Sequence, residues 1–127
     1  MRLKPLILLA GTLILVPPAV VIAHEEANGP HGGQVTEVQG HHVEFTVKDN
    51  AIVLFLSDED SKPIASEGAS GRVIIQDGDK QLAVDLIPAD PNLMMAKLHT
   101  PLGAGAKVVV SAKLGDGHAI QARFVAK

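Results

Sequence analysis

The sequence predicts an all-β domain: a two-layer antiparallel β-sandwich of immunoglobulin-like character, with seven or eight short strands after an N-terminal signal peptide. Three observations carry this expectation. Short apolar runs rich in Val, Ile and Leu recur between clusters of turn-forming residues. Several of these runs alternate apolar and polar residues, as a strand with one buried face does. No window of helical length after the first 23 residues shows a 3.6-residue period. A small Greek-key barrel is the alternative architecture.

The elements follow in chain order. Arg2 and Lys4 give a positive start, Leu6 to Val16 an apolar run, and Pro17-Pro18 a break. Val21 and Ala23 then suit the −3 and −1 positions of a signal peptidase site, so residues 1–23 read as a cleaved secretory signal. The apolar run is short for a span of about 20 residues, which disfavours a membrane anchor. Residues 24–33, HEEANGPHGG, are polar and rich in turn formers and read as a flexible His/Gly-rich tail. The β-domain occupies 34–127. Its expected strands are 34–38, 41–47, 51–57, 72–76, 81–87, 93–99, 107–114 and 119–125. Asp49-Asn50, Asp77-Gly78-Asp79, Asp90-Pro91-Asn92 and Gly115-Asp116-Gly117 punctuate them. Residues 57–70 form the longest irregular stretch, with room for a short strand near Pro63-Ile64. Only Phe45, Phe55 and Phe124 are aromatic, so the core is aliphatic.

Composition excludes several functions. There is no cysteine, hence no disulfide and no thiolate for nucleophilic catalysis or soft-metal binding. The whole chain carries 11 basic and 14 acidic side chains, net −3; without Arg2 and Lys4 nine basic remain against 14 acidic, net −5. That balance argues against nucleic acid and anionic membrane surfaces and favours cations. No serine sits in a Gly-x-Ser-x-Gly turn, and the Asp58-Glu59-Asp60 run reads as a solvated turn. The chain is therefore expected not to be an enzyme.

The histidines carry the functional signal. Four of the six, His24, His31, His41 and His42, fall within residues 24–42, interleaved with Glu25, Glu26, Glu37 and, just beyond, Glu44. A two-residue bend at Gln39-Gly40 would pair Val38 with His41, Glu37 with His42 and Val35 with Glu44. Glu37, His42 and Glu44 would then share the outer face of a hairpin. The two glycines after His31 would let the tail fold back. The expected metal ligands are therefore His31, His41, His42, Glu44, Glu37 and His24. Imidazole and carboxylate suit zinc, copper(II), nickel and cobalt. Met94 and Met95, adjacent on a strand, cannot easily share an ion; one is expected in the core. His99 and His118 read as solvated loop residues.

Gly-Pro-His-Gly-Gly at 29–33 followed by Gly-His-His-Val-Glu at 40–44 resembles small exported bacterial proteins, and domains attached to periplasmic adaptor subunits of heavy-metal efflux pumps. The likeness continues through LFLSDEDSKPI at 54–64, Leu-x-Pro-Ala at 86–89 and Pro-Leu-Gly-Ala-Gly-Ala at 101–106. It implies a periplasmic β-sandwich that handles divalent metal, with His31, His42 and Glu44 on the motif and His41 beside them. The chain has no long helical hairpin and no lipoyl-like or membrane-proximal domain such as full pump adaptors carry. The expectation is a periplasmic metal binder accessory to heavy-metal efflux or resistance. Its partners would be a metal ion and a periplasmic efflux adaptor, with no nucleic acid and no stable membrane insertion after signal cleavage. The alternative is a non-catalytic interaction module of the cell envelope that needs no metal.

Overall fold

The computed structural model describes residues 27–127. The expected signal peptide, and His24 with it, lie outside the described residues. Nine strands make up the domain: β1 (Ala27–Asn28), β2 (Gln34–Val38), β3 (His41–Lys48), β4 (Ala51–Asp58), β5 (Ser70–Asp77), β6 (Lys80–Ala89), β7 (Leu93–Lys97), β8 (Lys107–Lys113) and β9 (Ala119–Val125). Among the described residues there is no helix, and hence none long and apolar enough to cross a membrane. The protein is all-β, and every strand pair is antiparallel.

Local chemistry sets the hairpins. Gln39 and Gly40 both take left-handed backbone conformations, with φ of 49° and 77°. Two such residues make the two-residue turn whose twist matches the flanking strands. Asp49 does the same between β3 and β4, and Gly78 between β5 and β6.

Hydrogen bonding runs through the order β1-β2-β3-β4-β7-β6-β5-β8-β9. The β5–β6–β7 meander returns so that β7 lies beside β4, a Greek-key path. β6 pairs with β5 over Lys80–Leu86 and with β7 over Ile87–Ala89, so it turns the corner between two leaves of one sheet. The expected two layers are thus a single sheet folded on itself. Its ends approach one another, where Gln34 Nε2 donates to the Val125 carbonyl at 2.6 Å.

The core lies between the leaves. Val43, Phe45, Ile52, Leu54 and Leu56 from one leaf meet Val73, Val108, Val110, Ile120 and Phe124 from the other. The Phe45 and Phe124 rings stack at 4.9 Å. Met94 is fully buried and Met95 half-buried, as the alternation requires. In place of a strand near Pro63, a single bridge joins Ser57 and Pro63.

Of the segment read as a flexible tail, residues 27–33 form β1 and a closed loop. Ala27 pairs with Val35 and Asn28 with Gln34. Gly29 N donates to the Gly33 carbonyl at 2.8 Å and Gly32 N to the Gly29 carbonyl at 2.9 Å. The glycines that suggested mobility instead permit this tight return.

Candidate metal centre

The hairpin register is the one expected: Glu37 faces His42, Val38 faces His41, and Val35 faces Glu44. The pleat then divides the histidine-rich stretch. His42 and Glu44 point to the outer face of β3. His41 shares the inward parity of Val43 and Phe45 but stands at the strand's end, where the core runs out.

On the outer face, Glu44 is 4% exposed, against the wet surface that alternation implies. The 29–33 loop covers it. Its Oε2 accepts the backbone amides of His31 and Gly33, each at 2.9 Å, and its Oε1 lies 2.8 Å from His31 Nδ1. A Cβ added at Gly29 would fall 2.3 Å from the Glu44 carboxyl carbon, and one at Gly33 would fall 2.3 Å from the Phe45 carbonyl oxygen. Only glycine lets the loop close over this carboxylate. The His31 ring stacks on Phe55 at 3.6 Å and 6°, and Phe55 is the cross-strand neighbour of Glu44. A carboxylate only accepts, so Nδ1 donates, which in the neutral ring leaves Nε2 with its lone pair. The Gly-Pro-His-Gly-Gly motif and Glu44 therefore form one unit, a buried carboxylate that orients a half-exposed imidazole.

His42 and Glu37 sit together on the same face, Nε2 to Oε2 at 3.7 Å. That distance is too long for a hydrogen bond. With Glu37 mostly exposed, the pair contributes little to stability.

His41 belongs to a different constellation. Its Nδ1 lies 3.0 Å from the Gln39 carbonyl, which leaves Nε2 with its lone pair in the neutral ring. Across the end of the core stands the β8–β9 turn. Asp116 organises that turn: its Oδ1 accepts the His118 backbone amide at 2.9 Å, and its Oδ2 is 2.8 Å from His118 Nδ1. Gly117 supplies the left-handed φ of 92°. The backbone amide of His118, then its ring, hold the Asp116 carboxyl below the usual carboxylate range. The His41 and His118 rings are 5.5 Å apart. One ligand atom each from His41, Asp116 and His118 lies within 4.8 Å of the others.

Ligands at about 2.1 Å from a tetrahedral ion are about 3.4 Å apart, so these side chains need to close by at most about 1.4 Å. Asp116 and His118 are exposed and His41 is half-buried, so little packing resists that movement. Two imidazoles and a carboxylate can hold zinc, copper(II), nickel or cobalt. Asp116 has a second possible service, as the outer carboxylate that fixes the His118 ring.

Five of the six expected ligands lie among the described residues, and those five do not meet at one point. His31 joins Glu44, His42 joins Glu37, and His41 joins Asp116 and His118. His118 was expected to be a solvated loop residue. Its turn was legible in Gly-Asp-Gly, but not the turn it would face. The signal that could have found it is the parity of His41, inward-facing at a hairpin end and so aimed at the opposite leaf.

No protein-family model matches the chain, and comparison with curated proteins and with solved structures gives no match either.

Proposed function

We propose that this is a periplasmic divalent-metal-binding protein, taking zinc, copper(II), nickel or cobalt, with an accessory part in heavy-metal efflux or resistance. The observation that carries the reading is the convergence of His41, Asp116 and His118 from two separate hairpins within 4.8 Å. The acidic surroundings support it: Asp58 is the cross-strand partner of His41, and the Glu59 carboxylate lies against Gly40. The resemblance of the Gly-Pro-His-Gly-Gly and Gly-His-His-x-Glu motifs to periplasmic metal-efflux domains points the same way, and a periplasmic efflux adaptor is the partner it suggests. Within this reading His41 is a ligand, Glu44 orients His31, and the Glu37–His42 pair is peripheral. Three ligands, two exposed and one half-buried, suit an ion that must be released again better than one that holds the fold together.

The test is calorimetric titration of the protein with each of the four metals, beside a His41→Ala, His118→Ala double variant. Binding is expected in the wild type and not in the variant. Equal heats from both would reject the centre. The alternative is an envelope interaction module that needs no metal, and Ile87, 65% exposed on the corner strand, favours it. Partner capture from periplasm that is indifferent to chelator would support that alternative.

A further inference from the structure

A groove of about 720 Å³ crosses the outer face of the leaf that ends with β9. One row of directly opposed residues lines it across four strands: Asp85 on β6, Arg72 on β5, Ser111 on β8 and Gln121 on β9. Lys113 and Ala119, opposed on β8 and β9, line the next row toward the β8–β9 turn. Gln39 of the β2–β3 hairpin lines it too. The groove therefore touches both hairpins that supply the metal centre. Ala119 follows His118 in the chain, and the Gln39 carbonyl lies 3.0 Å from His41 Nδ1.

We propose that this groove holds an anionic co-ligand of the metal, a small dicarboxylate, with one carboxylate on Arg72 and Lys113 and the other on the ion. The inference rests on the metal-binding reading above and names what fills the open position of that centre. Coordination is the first argument. Two imidazoles and one carboxylate leave a tetrahedral ion one ligand short. Free donors are the second. Arg72 Nε lies 4.0 Å from Asp85 Oδ1, and both side chains are mostly exposed, so that pair is weak and the guanidinium keeps its donors. The Lys113 ammonium has no ion-pair partner among the described residues. Guanidinium and ammonium both bind carboxylate through charge-assisted hydrogen bonds.

Reach is the third argument. Lys113 is the direct partner of Ala119, about 5 Å away across the ladder. His118 is one residue, about 3.3 Å, further on. A four-carbon stem covers that offset. Charge is the fourth. The chain as a whole is net −3, but Arg72 and Lys113 against Asp85 leave the groove one positive charge. A divalent ion against Asp116 leaves the centre another. Together they match the two charges of a dicarboxylate. Asp58 ends β4 and Glu59 follows it, on the side of β3 away from β2.

The experiment uses protein expressed from the full chain and loaded with one equivalent of zinc. It is titrated calorimetrically with succinate, and with acetate as the single-carboxylate control. An Arg72→Gln, Lys113→Gln double variant goes through the same titrations after its zinc affinity is measured. Both positions are exposed and outside the metal centre, so the variant is expected to bind zinc like the wild type. Succinate is expected to bind the loaded wild type, and to bind the loaded variant at least about tenfold more weakly, the scale of one lost charge-assisted hydrogen bond. Acetate reaches the ion alone, so it should bind both loaded proteins alike. Metal-free wild type should bind succinate at least about tenfold more weakly than the loaded form, because the ion contributes one of the two contacts. If the wild type takes up no zinc, this inference and the metal reading fail together. If zinc binds but succinate does not, or binds the variant or the metal-free protein as tightly as the loaded wild type, the co-ligand is wrong and the three-ligand centre stands. Release of zinc on succinate addition, read with a metal-sensitive dye, overturns it in the same way.

Discussion

Glu44 is the side chain around which the Gly-Pro-His-Gly-Gly loop closes. Its carboxylate sits under the 29–33 loop and accepts two backbone amides and the His31 ring. Removing an acceptor from buried donors costs about 1–3 kcal/mol. Glu44→Gln places an amide nitrogen where donors converge, so it should lower unfolding stability by about 2 kcal/mol in denaturant titration. His31 should lose its position over Phe55 with it, visible as a shift of the ring resonances. No change in either would mean that the loop is held by its own backbone bonds. Asp116 behaves differently because it is exposed. Its carboxyl is lowered first by the His118 amide and then by the His118 ring. A lowered folded-state value means the charged form is favoured by folding. That contribution is complete above the ordinary carboxylate value of about 3.9 and is lost as pH falls through the lowered one. His118→Ala keeps the backbone amide and removes the ring. The Asp116 titration, followed by NMR, should therefore move only part of the way back up. A full return would make the ring the main cause.

Among the elements, strand placement was legible and the meeting of turns was not. β2 and β9 fall where alternation and the Asp, Asn and Gly clusters put them, because both signals are local. The Gln39-Gly40 bend could be read because a two-residue turn fixes register. The burial of Glu44 could not: a glycine-rich stretch reads as mobile, and its closure depends on a carboxylate 11 residues from Gly33. The pairing of His41 with the β8–β9 turn depends on how the sheet folds through β6, a non-local fact that no strand pattern carries. Parity still has a consequence that can be checked. His41 and His118 should act as a unit, so His41→Ala and His118→Ala should each abolish most metal affinity, and the double variant should lose little more. His42→Ala, on the opposite face of β3, should bind nearly as the wild type. Equal losses at His41 and His42 would mean that the hairpin does not sort its histidines by face.

At the scale of the molecule, one core joins both leaves, and the candidate centre bridges them. His41 lies on the leaf that begins with β1, and Asp116 and His118 on the leaf that ends with β9. An ion held by all three couples β3 to the β8–β9 turn, so its binding energy must be lost before the leaves separate. A ligand that binds only the folded state at 100 times its dissociation constant stabilises by about 2.7 kcal/mol. For a domain of roughly 100 residues, each kcal/mol moves the melting midpoint by about 4–8 °C. Saturating zinc should therefore raise the midpoint by about 10 °C or more and leave the transition single, since one core admits one cooperative step. Imidazole binds metal only when neutral, so the gain should shrink as pH is lowered from about 7.5 to about 5. The His41→Ala, His118→Ala double variant should melt at the same temperature with and without zinc. A zinc-induced rise that survives in that variant, or that ignores pH over this range, would place the stabilising ion elsewhere on the molecule.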